Sequence, residues 1–516
     1  RRILDFGDLE HEALRLLYGR QGDRPTAMAR ELSRRYEEIL VDEYQDSNAV
    51  QDAIFRAVSR EERNLFFVGD VKQSIYRFRL ADPGIFLRKY RDFAPYETAE
   101  PGQPRKILLS ENFRSRAEVL AAVNDVFARS MSERTGELRY GEAEALRPGL
   151  PYPPANGPMV ELHCIRQDAS GGEAERDPDK AAVEAAFLAD RIAELLRRGE
   201  TVQDHGVGRP LQPGDIAILL RSPRTAAPFY LAALQRAGIP CHSDTGDNIL
   251  ETTELQVLTS LLEAVENPRQ DVPLLAVLAS PLFGFTASEL AEVRGTAKKT
   301  DFYEALAASE LPKARVFCTL LRRLRAVGET DGLIALFDAA LEETDAPEVF
   351  GAMPGGAARR TNVETLRALV TDHARNGGDL VSFTRALRSL RETGLVLPDS
   401  AGRGVLLTSI HKSKGLEYPV VCLAGLSKAF NLDDLRRPVL IHPDLGVASN
   451  VVDLGRRVRY PSVAKQALAR KMRQEAVSEE LRVLYVAMTR ARERLIMTYC
   501  ADYLDTRLKK LCCLRT

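Results

Sequence analysis

Two carboxylates directly follow a short apolar stretch near the beginning of the chain. Ile39-Leu40 leads into the segment VDEYQD at 41–46, which contains Asp42 and Glu43. A short buried strand would deliver this pair to its carboxyl end, where open α/β sheets bind ligands. There Asp42 could hold the Mg²⁺ that bridges nucleotide phosphates, and Glu43 could orient and deprotonate the attacking water. The pair predicts nucleotide hydrolysis, with a solvated acidic turn as the alternative.

A second apolar strand with a carboxylate follows in GDVKQSIYRFRLAD at 69–82. The stretch Leu65–Val68 predicts the strand, Gly69 a turn, and Asp70 a carboxylate at the same sheet edge. Gln73 offers both a donor and an acceptor, which suits an amide that senses a terminal phosphate or its water. The two units together strengthen the prediction of a nucleotide site.

Two aromatic residues alternate with two cations immediately afterwards. Tyr76 and Phe78 are interleaved with Arg77 and Arg79. Such a pattern can stack nucleic-acid bases and meet backbone phosphates. The alternative is an amphipathic segment that buries Ile75 and Phe78 in a core.

These segments resemble motifs of superfamily 1 DNA helicases of the UvrD/Rep type, and most closely those of AddA-type helicase–nuclease proteins. VDEYQDSNAVQ is similar to the magnesium and water motif, and GDVKQSIYRFRLADP to the coupling motif. Three more motifs follow in the expected order: LLSENFRS at 108–115, LTSIHKSKGLEYPVV at 407–421 and EELRVLYVAMTRARERL at 479–495. The resemblance implies ATP and Mg²⁺ as cofactors and DNA, single-stranded or with duplex ends, as a partner.

The resemblance also assigns residues to ATP. It implies that Arg114 and Arg490 come from the second wall of the nucleotide cleft as arginine fingers, and that they neutralise charge on the transferring phosphoryl group. It implies that Glu417 binds the ATP ribose and that Gln73 and Gly415 belong to the same nucleotide site.

For DNA, the resemblance implies contacts from the coupling motif and from the motif at 407–421. Tyr76, Phe78 and Arg79 would stack on and hold single-stranded DNA. His411 and Lys414 would touch the DNA backbone and relay the state of the ATP site. Because the family more often has Trp at the position of Phe78, Tyr76 is the preferred stacking residue.

One motif of the family has no counterpart in this sequence. A motor of this kind grips phosphates with a GxxxxGK[ST] loop, and no Gly-Lys dipeptide occurs in the chain. The sequence begins at Arg1, and few residues follow the last predicted strand, RLIMTYC at 494–500. We therefore expect a piece of a longer protein, without the N-terminal phosphate loop and the C-terminal nuclease domain, and inactive by itself.

The composition is that of a multi-domain globular protein. The 516 residues are 45% hydrophobic and 28% charged, with a net charge of −1, so DNA contact must depend on local basic stripes. The candidate stripes are residues 72–79, 456–459 and 465–473, and for the last two a solvated helix face is the alternative. Scattered cysteines predict reduced thiols and a cytoplasmic location. No apolar stretch is long enough for a membrane span, so no membrane partner is expected.

The alternation of apolar segments predicts an α/β fold. We expect two RecA-like parallel-sheet motor domains, the first incomplete, with a helical insertion in the second. Predicted elements include strands at 106–110, 215–220, 404–410, 419–424 and 494–499, a helix at 117–127, and helical spacing at 255–265, 274–278, 287–293 and 333–341. The predicted divisions are 1–103 for the first motor domain, 104–254 and 396–503 for the second, 255–395 for the insertion, and 504–516 for a tail.

Three functions are compatible with the sequence. The preferred one is the ATP-dependent 3′–5′ helicase motor of a bacterial helicase–nuclease that processes double-strand breaks for recombinational repair, in a heterodimer with an AddB-type protein. The second is a free-standing UvrD/Rep-type helicase. The third is a helicase-like scaffold that binds DNA without hydrolysing ATP.

Overall fold

The chain forms two compact units. A computed structural model describes residues 4–19, 22, 24–155, 157–167, 180–204, 206–244, 249–297, 300–353, 356–393 and 404–513. The first unit comprises Arg1–His242 together with Gly402–Thr516, and the second comprises Ser243–Ala401.

The strands are short except near the carboxyl end of the chain. In chain order they are β1 (Ile39–Val41), β2 (Leu65–Phe67), β3 (Ala94–Pro95), β4 (Arg105–Lys106), β5 (Glu111–Asn112), β6 (Arg147–Pro148), β7 (Val160–Gln167), β8 (Thr201–Asp204), β9 (Val207–Pro210), β10 (Ile216–Leu220), β11 (Cys241–Ser243), β12 (Val405–Ser409), β13 (Tyr418–Leu423), β14 (Val439–His442), β15 (Gly446–Asp453), β16 (Val458–Pro461) and β17 (Ala491–Asp502).

The helices lie in both units. Those of the first unit are α1 (Phe6–Tyr18), α2 (Ala27–Arg35), α3 (Ala49–Ala57), α4 (Pro83–Asp92), α5 (Ala117–Ser130), α6 (Glu133–Gly136), α7 (Lys180–Arg197), α8 (Pro223–Arg236), α18 (Val463–Met488) and α19 (Leu504–Cys513). Those of the second unit are α9 (Thr253–Glu266), α10 (Asp271–Leu278), α11 (Ala287–Thr296), α12 (Phe302–Ala308), α13 (Pro312–Thr330), α14 (Gly332–Thr344), α15 (Ala346–Gly351), α16 (Gly356–Arg375) and α17 (Leu380–Thr393).

The predicted site begins on a small parallel pair of strands. β1 pairs with β2 in parallel, with Ile39 opposite Leu65 and Val41 opposite Phe67. α3 lies between them in sequence, as a parallel connection requires. Both strands therefore end at the same edge, where the predicted carboxylates follow.

The main sheet of the first unit contains six strands within the described residues, in the order β11-β12-β10-β13-β17-β7. The pairs β12–β10, β10–β13, β13–β17 and β17–β7 are parallel. Every residue of β10 is buried, because helices cover both faces, which is typical of a central strand in a parallel sheet. α7 and α8 pack on one face through Leu188 and Tyr230, and α5 and α18 on the other through Phe127 and Val486.

The second unit is helical in its described part. Its core is formed by apolar residues from several helices, among them Leu258, Phe317 and Phe337. The four segments with predicted helical spacing lie in α9, α10, α11 and α14.

The predicted strand at 106–110 is wrong for most of its length. Only Arg105–Lys106 and Glu111–Asn112 are paired, the first with β3 and the second with β6. Between them Leu109 is 85% exposed. An apolar run indicates burial, whereas a strand also needs one continuous partner edge, and here the two ends have different partners.

A mixed α/β fold with a parallel sheet is confirmed. The layout of two RecA-like domains and the five divisions of the chain remain predictions. The predicted boundary between residues 395 and 396 lies outside the described residues, as do residues 514–516 of the predicted tail. In the part of the chain that the structure describes, no helix combines the length and apolarity needed to cross a membrane.

Candidate nucleotide and DNA site

The predicted base lies at a sharp turn directly after β1. Asp42 and Glu43 are exposed, and the Asp42 carboxylate accepts a hydrogen bond from the backbone N–H of Glu43 at 2.8 Å. Glu43 has φ 51° and ψ 36°, in the left-handed region. For a residue with a Cβ atom this conformation costs about 1–2 kcal/mol. Such backbone strain is concentrated at functional sites, which supports a functional role for this turn.

Gln45 connects the ends of the two strands, and the sequence analysis did not identify it. Its side chain is fully buried. The Nε2 atom donates to the Glu43 carboxylate, and the Oε1 atom accepts from the backbone N–H of Asp70 at 2.9 Å. A Cβ atom on Gly69 would lie 2.3 Å from this Oε1 atom, so the glycine is required for the close approach. The signal available in the sequence was an amide inside the acidic motif.

The two sheet-edge aspartates differ in what their carboxylates bind. Asp70 accepts from Gln73 Nε2 at 3.1 Å and pairs with Lys72 Nζ at 2.8 Å. Asp42 is exposed and carries no ion pair among the described residues. Mg²⁺ is commonly held by only one or two protein carboxylates, so Asp42 fits the predicted role. The described residues contain no group of three or more His, Cys, Asp or Glu side chains that could hold a metal ion.

Arg114 follows a turn that its neighbour Asn112 stabilises. The Asn112 Oδ1 atom accepts from the backbone N–H groups of Arg114 at 2.9 Å and Ser115 at 2.8 Å. Arg114 Nε donates to the Glu417 carboxylate, and Arg492 Nη1 lies 3.7 Å from the same side chain. The predicted phosphate and ribose residues are therefore direct neighbours.

The register of the main sheet places Glu417 beside Arg490. Tyr418 of β13 is opposite Ala491 of β17, so the residues that precede these two parallel strands lie next to each other. Gly415 has φ 80° in the turn just before, a conformation that glycine adopts without strain.

Arg490 is only 2% exposed. Its guanidinium donates to the backbone carbonyl groups of Val486 and Leu416, both at 3.0 Å. Burial lowers the pKa of Arg490 to about 10, and repulsion from Arg114 acts in the same direction, while Glu43 opposes it. Arg114 and Glu43 therefore both lie within electrostatic range of Arg490.

Lys414 joins the two groups of motifs. Its side chain is only 5% exposed, and its Nζ atom donates to the Asp46 carboxylate and to the backbone carbonyl of Gln73 at 2.8 Å. The Glu43 carboxylate is 3.4 Å away, and the Tyr76 ring centroid 5.2 Å away. The ammonium group is thus occupied by the nucleotide motifs, which supports the predicted relay better than the predicted contact with the DNA backbone.

The aromatic pair is unequally exposed. Phe78 is 64% exposed, whereas the part-buried Tyr76 donates its hydroxyl hydrogen to the His411 carbonyl at 3.3 Å. The Arg79 guanidinium lies 5.3 Å from the Tyr76 ring and 5.7 Å from the Phe78 ring. Both rings remain predicted DNA contacts, and Phe78 is the one that presents most of its ring to solvent.

His411 packs against this pair. Its ring centroid lies 5.5 Å from that of Phe78 and 6.4 Å from that of Tyr76. Burial lowers the pKa of His411 to about 4, and Arg221 adds to this effect. A neutral imidazole adds no charge to a phosphate contact, so the geometry supports His411 as a support for the aromatic pair.

We expect Phe78→Ala to weaken single-stranded DNA binding by about tenfold, since each stacked base contributes about 1–3 kcal/mol. Tyr76→Phe, which keeps the ring and removes the hydroxyl, is expected to leave the affinity nearly unchanged. Fluorescence anisotropy with a labelled oligonucleotide measures both. An unchanged affinity for Phe78→Ala in a folded protein would exclude this ring as a base platform.

His411 gives a second prediction, on pH. Because its folded pKa of about 4 lies below its unfolded value, the neutral ring stabilises the fold above pH 6.5, and this contribution falls with pH towards 4. The full difference corresponds to about 3 kcal/mol. Thermal melting should show the wild-type protein losing stability from pH 7.5 to 5 more steeply than His411→Gln. Parallel pH profiles would contradict the assigned burial.

Comparison with known proteins identifies the class first. Residues 1–94 match the UvrD/REP helicase N-terminal domain, and residues 358–502 match the UvrD-like helicase C-terminal domain. The chain therefore contains regions of both UvrD-like helicase domains.

The similar full-length proteins are more specific, and each is named as a subunit of an ATP-dependent helicase/nuclease. The chain is 40% identical to the one from Desulforamulus reducens, with 99% of the chain and 44% of that protein covered. It is 42% identical to the one from Carboxydothermus hydrogenoformans and 40% identical to the one from Bacillus cytotoxicus, each with 96% of the chain and 42% of the relative covered. The chain thus spans less than half the length of these relatives.

Proposed function

We propose that the chain forms the ATP-dependent 3′–5′ DNA helicase motor of a bacterial helicase–nuclease. Its role would be to process double-strand breaks for recombinational repair in the cytoplasm, in a heterodimer with an AddB-type protein. The main support is the geometry that joins motifs far apart in sequence: Lys414 Nζ lies 3.4 Å from the Glu43 carboxylate, and Arg114 pairs with Glu417. The names of the relatives support the helicase–nuclease assignment, and the motif resemblance supports polarity and repair role.

The residues proposed for ATP hydrolysis come from two sides of the nucleotide cleft. Glu43 accepts the proton of the attacking water, and the Gln45 amide holds the Glu43 carboxylate in one orientation. Arg114 and Arg490 supply positive charge opposite the developing phosphoryl charge. Asp42 would hold Mg²⁺, which would supply further positive charge at the phosphates.

Movement along DNA requires a connection between the two sites. Lys414 contacts Glu43 and Asp46 and also the backbone of Gln73 and the ring of Tyr76. A change of charge at the nucleotide would alter these contacts. The proposed consequence is a shift of the Tyr76–Phe78 segment against the bound strand.

The direct test uses the complete gene product with ATP and Mg²⁺. Duplexes with a 3′ tail, a 5′ tail or blunt ends are compared for strand separation, together with ATP turnover with and without DNA. We expect DNA-stimulated turnover and preferential unwinding of the 3′-tailed duplex. Preference for the 5′ tail would refute the polarity, and turnover that does not respond to DNA would refute a DNA motor.

Residues 1–516 by themselves should show little or no ATP hydrolysis. Phosphoryl transfer depends on positioning and charge, and a helicase of this class grips the phosphates with a Gly-Lys loop that this sequence lacks. The measurement is phosphate release with saturating single-stranded DNA, compared with the complete gene product. Robust DNA-dependent turnover by the 516-residue chain would mean that other residues grip the phosphates.

A further inference from the structure

A cluster of four charged residues attaches the segment between the nucleotide edge and the aromatic pair to its neighbouring helices. The segment 74–79 follows Gln73 and contains Tyr76 and Phe78. We call the four charged residues, which are Arg77, Glu137, Glu475 and Arg482, the clamp cluster. The motif resemblance assigns a function to none of them.

Arg482 lies at the centre of this cluster. It is 1% exposed and comes from α18. Its Nε atom donates to the backbone carbonyl of Ser74 at 2.9 Å, and its Nη1 atom donates to Glu137 at 3.0 Å. Its Nη2 atom is enclosed and meets no acceptor among the described residues. A buried donor without an acceptor is unfavourable. The Arg482 Nη2 group could therefore donate to the segment if the segment took another position.

Glu475, two turns before Arg482 on α18, binds the segment through the Arg77 side chain. It pairs with Arg77 Nη2 at 2.7 Å, with His442 Nε2 at 3.2 Å and with Lys471 Nζ at 3.2 Å. Burial acts to raise the pKa of Glu475, but Arg77 and the hydrogen bonds from His442 and Lys471 outweigh it, and the pKa is lowered. Glu475 is therefore an ionised hub between the segment, β14 and α18.

Glu137 closes the cluster. It lies 4.0 Å from Arg77 Nη1 as well as 3.0 Å from Arg482 Nη1. Its φ of 61° is left-handed, so the backbone at the end of α6 is strained where it meets both arginines. The segment is thus attached to α18 at two points, the Ser74 carbonyl and the Arg77 side chain.

α18 has a second connection to the site. It ends at Met488, immediately before Thr489 and Arg490, the predicted finger. One helix therefore carries Glu475 and Arg482 of the clamp cluster and leads directly into the residue that is proposed to meet the phosphoryl group.

We infer that Arg77, Glu475 and Arg482 are positioning residues that couple the nucleotide state, read at Arg490, to the position of Phe78 on DNA. The inference rests on the proposed helicase function. None of the cluster residues is among the proposed nucleotide-binding residues, so loss of the cluster should leave nucleotide binding intact and reduce the movement obtained from each ATP.

The experiment measures base pairs unwound per ATP hydrolysed in the complete gene product. The variants are Glu475→Gln, Arg77→Gln, the double variant and Arg482→Lys, with Arg129→Lys as control. Arg129 is an exposed arginine on α5 that pairs with Asp125, outside the basic stripes. Since members of one salt-bridge network show marked pairwise coupling, we expect the ratio to fall by about three- to tenfold in the first two variants, and no further in the double variant. Arg482→Lys keeps the positive charge but cannot bond to both the Ser74 carbonyl and Glu137, and its ratio of base pairs to ATP should fall by a similar factor.

The outcomes separate this inference from the proposed function. Unchanged coupling ratios in Glu475→Gln and Arg77→Gln, beside an active wild type, overturn the inference alone. Additive losses in the double variant also overturn it, because the two residues would then act independently. A wild type without DNA-stimulated turnover overturns the proposed function and the inference with it. If Arg482→Lys does not fold, Glu475→Gln, which preserves side-chain shape, decides the question.

Discussion

Arg114→Lys is expected to lower DNA-stimulated ATP turnover in the complete gene product by about 10³-fold, the lower end of the effect attributed to an arginine finger. The structure favours this arginine for the test because its side chain is partly exposed, whereas Arg490 is enclosed by backbone carbonyl groups. Lysine keeps the positive charge but cannot offer two parallel N–H groups to a phosphoryl oxygen pair. A steady-state assay at saturating ATP and DNA measures the effect.

The matched control is Arg147→Lys. Arg147 is exposed on β6, directly opposite Glu111 of β5, and so lies on the same short sheet that precedes Arg114. We expect turnover of this control to stay near that of the wild type. If Arg114→Lys also retained turnover within about threefold of wild type, Arg114 would not contact the transferring group, because a finger contributes far more.

The second large effect is expected for Glu43→Gln. Loss of the general base should reduce turnover by about 10²–10⁴-fold while nucleotide affinity is retained. The structure explains why the change is tolerated: the side chain is half exposed, and an amide oxygen at position 43 can still accept the hydrogen bond from Gln45. The ion pair with Lys414 is lost, so weaker coupling to the aromatic segment should accompany the loss of chemistry.

Glu38→Gln is the control, since Glu38 is an exposed carboxylate immediately before β1. Turnover and binding of a fluorescent nucleotide are measured for both variants. A Glu43→Gln protein with near-normal turnover would show that the base lies elsewhere. A protein that no longer binds nucleotide would show that Glu43 acts in binding instead of proton transfer.

Much of the site could be predicted from local sequence. The apolar residues of β1 and β2 are followed by Asp42 and Asp70, and strand periodicity together with parallel pairing is sufficient to bring both to one edge. The strands at 405–409, 418–423 and 491–502 also lie where the sequence predicts strands, because each contains an apolar stretch that a parallel sheet buries. Local signals of this kind depend only on neighbouring residues.

Other features were decided by tertiary structure alone. Lys414 binds Asp46 from 368 residues away, and Arg482 binds the carbonyl of Ser74 from 408 residues away. The difference in exposure between Tyr76 and Phe78 likewise depends on the contact of Tyr76 with His411, which no spacing within the motif reveals. Sequence determined which residue types stand after each strand. Which buried charges pair, and which ring remains exposed, follows from the packing of distant segments, where burial makes each unpaired polar group costly and so selects its partner.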